Sequence, residues 1–392
     1  MNRLLKILLT AFIITLPIIL FFFYIDSSQE KEDSKQEREE QEKIQKPFSG
    51  IIEEISTDDY ETITYDTKIE TKEILKQAAW IPPWDYSNAL QSLENFESEF
   101  HSISPVTFQI NNDGSLTERL NPNLEDLKEI TQRKNILLIP TISNFDSNMM
   151  KNIFDSKENT QRHIHSILQV VRDYEYDGID LDYESIRAEN KEDFLDFVQI
   201  LSKELDKENK ILSITVLPKW GDGVVYTGLA ETRNVQDWQI IGKWADEVRI
   251  MAYDFTPVPS SESGPIAPIE WVDKILEYAI EKIPKEKIWL GVHLYSYEWV
   301  IPMEDSETAD VKTNSYTYSV VKEQILKHDY VNVEYNREYS EGYAQYSCLG
   351  NYSCVIYYAT PESVKTRKEI AKKYGVQGVA YWRLGGEDEL IR

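Results

Sequence analysis

Eight short apolar runs alternate with amphipathic helical patterns along most of this 392-residue chain. Runs of this length predict buried strands, and the segments between them carry apolar residues at spacings of three and four, which predicts helices. A strand–helix alternation repeated eight times predicts a closed parallel (β/α)8 barrel. The predicted strands are Ala78–Pro82, Pro105–Ile110, Ile136–Ile142, Gly178–Tyr183, Ile211–Leu217, Val248–Tyr253, Ile288–Leu294 and Val376–Trp382.

The predicted barrel, residues 77–392, is longer than the about 250 residues that a bare barrel needs. An insertion is therefore expected. The widest gap between predicted strands lies between the seventh and the eighth, at about residues 298–358, and it is rich in tyrosine. We expect a small α+β lobe there that forms one wall of a cleft.

The N-terminal sequence predicts a membrane anchor over residues 1–26. Arg3 and Lys6 precede an uncharged apolar run, Ile7–Ile25, which as a helix would span ~28 Å, close to the thickness of a hydrocarbon core. Acidic residues follow it, so the charge difference orients the N-terminus inward and the rest of the chain outward. We expect a single-pass helix at the cell membrane with the barrel extracellular. A cleaved signal peptide, and so a secreted protein, is the alternative, but the run ends in Phe21–Tyr24 and not in the small residues of a cleavage site.

Two segments of different composition separate the anchor from the barrel. Residues 27–47 are almost all Glu, Lys, Gln, Asp and Ser, a composition that cannot bury a core and predicts an acidic, disordered stalk. Residues 48–76 are mixed in composition and form a lead-in without an assigned structure.

Charge and composition limit the partners. The net charge of −26 excludes a nucleic-acid binder, because contact with phosphates needs a basic face. It also disfavours anionic polymers as substrates, although a local pocket can differ from the average. The 24 Tyr and 9 Trp suit sugars, whose C–H faces pack on aromatic rings, but large barrels also bury many aromatic side chains. We expect the protein to act as a monomer.

The chain has two cysteines, Cys348 and Cys354. No histidine lies near them in sequence, so they do not suggest a zinc site. Outside the cell a short disulfide loop is expected, and two free thiols are the alternative.

One acidic segment carries the chemistry. In the fourth predicted strand the side chains alternate between two faces, so acids spaced by two residues point the same way. The helix-facing side is apolar, which leaves the acids pointing into the barrel and climbing toward its C-terminal mouth. Buried carboxylates share protons and have displaced pKa values, which is typical of acid–base catalysis and neither of a calcium loop nor of a solvated strand. The inward acids are Asp180, Asp182 and Glu184, and the outward residues are Ile179, Leu181 and Tyr183.

The run from Asp177 to Glu184, Asp-Gly-Ile-Asp-Leu-Asp-Tyr-Glu, resembles the signature of family 18 glycoside hydrolases, the chitinase family. Met251-Ala-Tyr-Asp254 is similar to the family's Met-x-Tyr-Asp at the sixth strand, and Tyr381-Trp-Arg-Leu-Gly-Gly-Glu-Asp388 to its final tryptophan strand. The third strand departs from the family, because it ends in Ser143-Asn-Phe145 where many members have Ser-x-Gly-Gly. That departure leaves the subgroup, and hence the substrate, open.

The resemblance implies a role for each matching residue. Glu184 would be the catalytic acid, Asp182 would orient the substrate's 2-acetamido group, and Asp180 would share a proton with Asp182. Tyr253 would hydrogen-bond the acetamido carbonyl as a further catalytic residue. Trp382, as the floor under the sugar, Asp254 and Asp177 are the expected substrate-binding residues. No metal and no organic cofactor is implied.

The expected function is hydrolysis of β-1,4 bonds at N-acetylglucosamine-type residues, by substrate-assisted retaining catalysis. Peptidoglycan is favoured because the anchor would hold the enzyme beside the cell's own wall, and chitin and glycoprotein glycans stay open. The main alternative is a non-catalytic carbohydrate-binding surface protein on the same barrel. A third is an unrelated barrel whose acids bind a metal.

Overall fold

A computed structural model describes residues 75–95, 100–119, 121, 123–224, 231–303, 311–328, 331–348, 352–387 and 389–391. The predicted anchor (1–26), the stalk (27–47) and all but the last two residues of the lead-in (48–76) lie outside this part of the chain and stay predictions. Within the described ranges, no helix is long and apolar enough to span a bilayer.

Eight parallel strands form a closed ring. The strands described, in chain order, are β1 (Lys76–Ile81), β2 (Ser102–Ile110), β3 (Leu116–Glu118), β4 (Leu137–Leu138), β5 (Thr141–Asn144), β6 (Gly178–Tyr183), β7 (Ile211–Val216), β8 (Glu247–Ile250), β9 (Ile288–His293), β10 (Tyr295–Pro302), β11 (Lys312–Thr317), β12 (Asn332–Asn336), β13 (Glu341–Cys348), β14 (Tyr352–Tyr358) and β15 (Gly378–Trp382). Around the ring the order is β1-β15-β9-β8-β7-β6-β5-β2, and β1 also pairs with β2, which closes it. The predicted (β/α)8 barrel is confirmed.

Two predicted strands differ from the observed ones in ways that shape the barrel, and the bounds of the others move by at most three residues. The third is divided into β4 and β5, because Pro140 has no N–H to donate and interrupts the ladder. The sixth ends at Ile250 and not at Tyr253, and the chain then turns with Asp254 in the left-handed region, at φ 60°. The second difference lies at the C-terminal end of its strand, where the barrel mouth opens.

Helices cover the outside of the ring. They are α1 (Tyr86–Asn95), α2 (Leu124–Lys134), α3 (Ser147–Phe154), α4 (Lys157–Asp173), α5 (Lys191–Asp206), α6 (Glu231–Val235), α7 (Trp238–Trp244), α8 (Ile269–Lys282), α9 (Tyr318–Val320) and α10 (Pro361–Tyr374). The apolar stripe of α5 is buried against the sheet, as its spacing predicts. Thr360 caps α10 through the N–H of Ser363, and Gly375 ends it at φ 65°.

Between β9 and the last barrel helix the chain forms a separate antiparallel sheet of five strands, in the order β11-β10-β14-β13-β12. A short helical segment, α9 continued by a π-turn over Val321–Leu326, accompanies it. Cys348 and Cys354 form a disulfide between the adjacent strands β13 and β14, with an S–S distance of 2.00 Å. Of the two states left open for these cysteines, the structure has the bonded one.

A buried ion pair fastens this five-stranded sheet to the barrel. Glu341, at the start of β13, accepts hydrogen bonds from Arg367 Nη2 at 3.0 Å and from the backbone N–H groups of Ile266 (2.9 Å) and Ala267 (2.6 Å). Arg367, on α10, also donates to the carbonyl of Ser340 at 3.0 Å. Because Glu341 and Arg367 are almost fully buried, each needs the other's charge.

We expect Arg367→Met to lower the free energy of unfolding by about 3–5 kcal/mol, because it leaves Glu341 as a buried charge without its partner. The matched control is Lys373→Met on the same helix, which removes an exposed ion pair to Asp273 and should cost much less, because water already screens that pair. Urea unfolding curves measure both. Equal costs for the two variants would contradict a structural role for the buried pair.

Candidate active site

The inward direction of the acids on β6 is set by what lies on its other face. Tyr183 points to the helices, where its hydroxyl is 2.6 Å from Nε2 of His163 and its ring stacks on Phe197. Ile179 and Leu181 are buried on the same side. Strand alternation then directs the acids into the ring.

Asp180 lies deepest and is fully buried. Its carboxyl accepts hydrogen bonds from Trp80 Nε1 (3.0 Å), Thr141 Oγ1 (2.8 Å), Ser213 Oγ (2.7 Å) and Thr215 Oγ1 (3.1 Å). These donors come from the two neighbouring strands, β5 and β7, and from β1. Between them they satisfy both oxygens of the buried carboxyl.

Asp182 is one step higher on the same face. Its Oδ1 is out of reach of solvent and has no hydrogen-bond partner in the described part of the chain. Loss of water, followed by the negative charges of Glu184 and Asp180, raises the pKa of Asp182 well above its usual range. The Asp182 carboxyl therefore keeps its proton to higher pH than an exposed aspartate does. The hydrogen bonds of Asp180 described above run to its four donors, so the expected sharing of a proton between Asp182 and Asp180 stays a prediction.

Glu184 stands at the mouth, just beyond the end of β6. Its backbone N–H donates to the carbonyl of Asn144 at 3.0 Å, which fixes the start of the loop. Loss of water and the negative charge of Asp254 raise the pKa of the Glu184 carboxyl to about 7, while Arg233 opposes the shift. A carboxyl with this pKa can both give and take a proton at neutral pH.

Two tyrosines that the sequence reasoning did not single out hold Asp254. The hydroxyl of Tyr297 donates to Asp254 Oδ1 at 2.8 Å, and the hydroxyl of Tyr295 donates to the same oxygen. Asp254 lies on the open side of the cleft, yet the protein beside it removes enough water to raise the pKa of its carboxyl, an effect that the tyrosines oppose. The Tyr-x-Tyr pattern directly after β9 is the sequence signal that could have found them.

Tyr253 and Trp382 complete the mouth. The ring of Tyr253 meets Tyr295 edge-on, with 6.2 Å between centroids, and its pKa is raised by burial and by the nearby carboxylates. Trp382 ends β15, and its ring meets Trp80 edge-on at 6.2 Å. Trp80 also donates a hydrogen bond to Asp180, so it contacts both Trp382 at the mouth and the deepest acid.

Asp177 is not at the mouth. It precedes β6, seven residues from Glu184, which is ~23 Å along an extended strand. Its Oδ2 accepts a hydrogen bond from the backbone N–H of Leu138 at 2.8 Å. The expected substrate contact is therefore replaced by a structural role: Asp177 ties β6 to β4 at the opposite end of the barrel. Among the described residues no group of three or more His, Cys, Asp or Glu is placed to hold a metal ion.

The sequence profile of "Glycosyl hydrolases family 18" matches residues 34–387. The chain belongs to glycosyl hydrolase family 18. The resemblance carried by the β6 motif is thereby confirmed, and the family makes the protein a glycosidase.

Individual family 18 proteins are similar to this chain at low identity. It is 24% identical over 313 residues to "Uncharacterized glycosylase YvbX" of Bacillus subtilis (strain 168), which covers 76% of this chain and 84% of that protein. It is 22% identical over 309 residues to "Cortical fragment-lytic enzyme" of the same organism, covering 75% of this chain and 68% of that protein. The crystal structure of a chitinase from Chromobacterium violaceum ATCC 12472 superimposes with a TM-score of 0.71 at 19% identity, over 81% of this chain and 96% of that one. That likeness shows the shared barrel.

If Glu184 is the general acid of this family 18 enzyme, kcat/KM should fall as pH rises through about 7, because the acid acts only while it holds its proton. Asp254→Asn removes a negative charge that raises this pKa, so the falling limb should move to lower pH. Loss of water, the larger cause, remains and keeps the limb above the ordinary carboxyl range.

A pH series of kcat/KM on an N-acetylglucosamine oligomer checks this shift. Asp273→Asn is the control, since that carboxylate lies on an outer helix, beside Lys373. If the falling limb of kcat/KM lies at the same pH in Asp254→Asn as in the wild type, Asp254 does not raise the pKa of Glu184.

Proposed function

We propose that this glycosidase cleaves β-1,4 bonds at N-acetylglucosamine-type residues by substrate-assisted retaining catalysis. The observation that carries the proposal is the graded set of carboxyls on β6. Asp180 accepts hydrogen bonds from four donors, the pKa of Asp182 is raised well above its usual range, and Glu184 at the mouth has a pKa of about 7. Glu184 therefore lies where it can protonate a glycosidic oxygen, and the buried Oδ1 of Asp182 lies below it on the same strand face.

In the first step Glu184 gives its proton to the glycosidic oxygen as the bond from that oxygen to the anomeric carbon breaks. The carbonyl oxygen of the substrate's own 2-acetamido group forms a bond to the same carbon, which gives an oxazolinium ion. Asp182 Oδ1, which is buried without a hydrogen-bond partner in the described residues, supports a role in accepting the acetamido N–H. Tyr253, in contact with Tyr295 at the cleft wall, is suited to hold the acetamido carbonyl.

In the second step water attacks the anomeric carbon and gives a proton back to Glu184. The bond from that carbon to the acetamido oxygen breaks, so the acetamido group is restored. Two inversions at one carbon return the starting configuration, and no protein carboxylate becomes bonded to sugar.

A polymeric glycan of the bacterial wall is the substrate class that we propose. One similar protein is called a cortical fragment-lytic enzyme. Two large aromatic side chains on mouth loops, Trp84 after β1 and Phe145 after β5, are 70% and 66% exposed, which suits further sugar units packed on rings. A digestion panel tests this choice by comparing peptidoglycan with chitin and with N-glycans, and mass spectrometry identifies the products. The non-catalytic alternative would need an acid missing at position 184, and the acid is present.

We expect Glu184→Gln to reduce turnover of a cleavable oligomer at least about a hundredfold, while the fold and sugar binding persist, because the change removes only the titrating group. Steady-state rates and calorimetric binding measure the two properties. Glu189→Gln, on the same mouth loop and exposed, is the control and should keep its rate. If Glu184→Gln keeps more than about a hundredth of the wild-type rate, another group is the acid.

The nucleophile gives a separate test. A thiazoline mimic of the oxazolinium ion should inhibit the enzyme, because it fits the site that binds the transition state. Substrates with a 2-hydroxyl or a free 2-amine at the cleaved sugar should resist cleavage, and fresh product should have the β configuration by proton NMR. An initial α product, or brisk cleavage of a glucose-only polymer, would rule out this mechanism.

A further inference from the structure

A polar pocket lies beside the barrel mouth, where α1, the loop after β15 and the segment that joins β11 to α9 meet. Its volume is about 430 Å³, within the about 300–1,000 Å³ of small-molecule sites. None of the acids on β6 lines it, so it is separate from the set of carboxyls described above. Its walls carry amide and hydroxyl side chains, which are those of Asn88, Gln91, Ser92, Asn95, Thr317 and Ser319.

Helix α1 supplies most of these side chains from one face. Positions 88, 91, 92 and 95 recur at spacings of three and four, so they form a polar stripe, while the apolar stripe of the helix is buried. The side chains of Gln91, Ser92 and Asn95 make no hydrogen bond within the part of the chain that the structure describes. Their donors and acceptors are therefore available to a ligand in the pocket.

Two glycines bring the loop after β15 close to both other walls. Gly385 and Gly386 have φ values of 95° and 110°, a region that favours glycine. A Cβ on Gly385 would lie 3.1 Å from Asp85 Oδ2, and a Cβ on Gly386 would lie 2.6 Å from Cβ of Thr317. The loop can reach α1 and β11 together only because both positions lack a side chain.

Hydrogen bonds fasten the three walls to one another. Arg383 donates to the carboxylate of Asp85, and Asn88 Nδ2 donates to the other oxygen of Asp85 at 2.6 Å. The backbone N–H of Ser319 donates to the carbonyl of Gly386 at 3.1 Å. The pocket is thereby built before a ligand arrives, which lowers the entropy cost of binding.

One carboxylate in the pocket wall points to the kind of ligand. Glu387 is 3% exposed, and its Oε2 accepts a hydrogen bond from the backbone N–H of Gly385 at 2.7 Å. Its Oε1 accepts no hydrogen bond from the described residues. A nearly buried carboxylate oxygen is stabilised by a donor and repels an anion. Together with the amides and hydroxyls, this favours an uncharged ligand with several O–H groups, as a neutral sugar has.

The pocket is within reach of the cleft. Gly386 follows Trp382 by four residues, a distance of at most about 14 Å along the chain. A glycan strand covers that distance with a few sugar units. A strand packed on Trp382 can therefore continue into the pocket.

We propose that this pocket holds a neutral sugar unit of the same glycan strand whose cleaved sugar lies on Trp382, so that the enzyme prefers long strands. This rests on the proposed function and narrows its substrate class to polymers. The groups that bind the distant sugar are the amides of α1, the hydroxyls of Thr317 and Ser319, and the carboxylate of Glu387.

The test measures affinity against the length of the sugar chain. Calorimetry on the full-length chain with Glu184→Gln gives the affinities without turnover. The probes are chitobiose, which is too short to extend from Trp382 into the pocket, and chitohexaose, which is long enough. The expected stoichiometry is one chitohexaose per protein chain, and two would mean that the pocket holds a separate glycan, which would overturn the single strand.

Two kinds of variant change the pocket in different ways. The double variant Gln91→Ala with Asn95→Ala removes two amides, and Ser92→Trp fills the space. The controls Ser87→Ala and Ser87→Trp make the same kinds of change at an exposed position of the same helix that does not line the pocket.

We expect each pocket variant to weaken the binding of chitohexaose about 5-fold or more and to leave chitobiose unchanged, because only the longer probe uses the lost hydrogen bonds or the filled space. The controls should change neither affinity. An unchanged affinity for chitohexaose in both pocket variants would overturn the proposal. So would an equal loss for the two probes, since that result is what a disturbed fold or cleft gives.

The proposed function and this inference fail in different ways. If the pocket variants with Glu184 intact turn over chitohexaose with the kcat/KM of the wild type, the pocket has no role and the function stands. If chitohexaose binds in a way that depends on the pocket but no probe is turned over, the function is refuted and the pocket stands.

Discussion

The active site depends on a carboxylate buried at the centre of the barrel. Asp180 is acceptable there because four donors from other strands surround it. Its charge is one of the causes that raise the pKa of Asp182, directly above. Through Trp80 the same carboxylate is connected to the ring of Trp382 at the barrel mouth.

At the mouth of the barrel, two charges act in opposite directions on the pKa of Glu184. Asp254 raises the pKa of Glu184, and Arg233 lowers it. The tyrosines that hold Asp254 come from β10, the first strand of the five-stranded sheet, and that sheet is fastened to the barrel by the buried pair of Glu341 and Arg367. The insertion thus holds the carboxyl whose charge raises the pKa of Glu184.

Much of the fold and part of the site could be predicted from the chain alone. The eight apolar runs predicted the barrel correctly, although Pro140 divides the third strand and the sixth strand ends at Ile250, before the turn that contains Asp254. The spacing by two in β6 gave the inward direction of its acids. Asp177 belongs to the same motif but lies at the opposite end of the strand, because the whole of β6 separates it from Glu184.

What the sequence by itself determined is local: the alternation of strands and helices, and the face on which each side chain of β6 lies, since both follow from backbone periodicity. What only the tertiary structure decided is which remote groups meet. Trp80, Thr141 and Ser213 converge on Asp180, and Tyr295 and Tyr297 converge on Asp254, from positions far apart in the chain. The raised pKa values of Asp182 and Glu184 likewise come from groups brought together by the fold, because desolvation and Coulomb interactions depend on distances in space and have no period along the sequence.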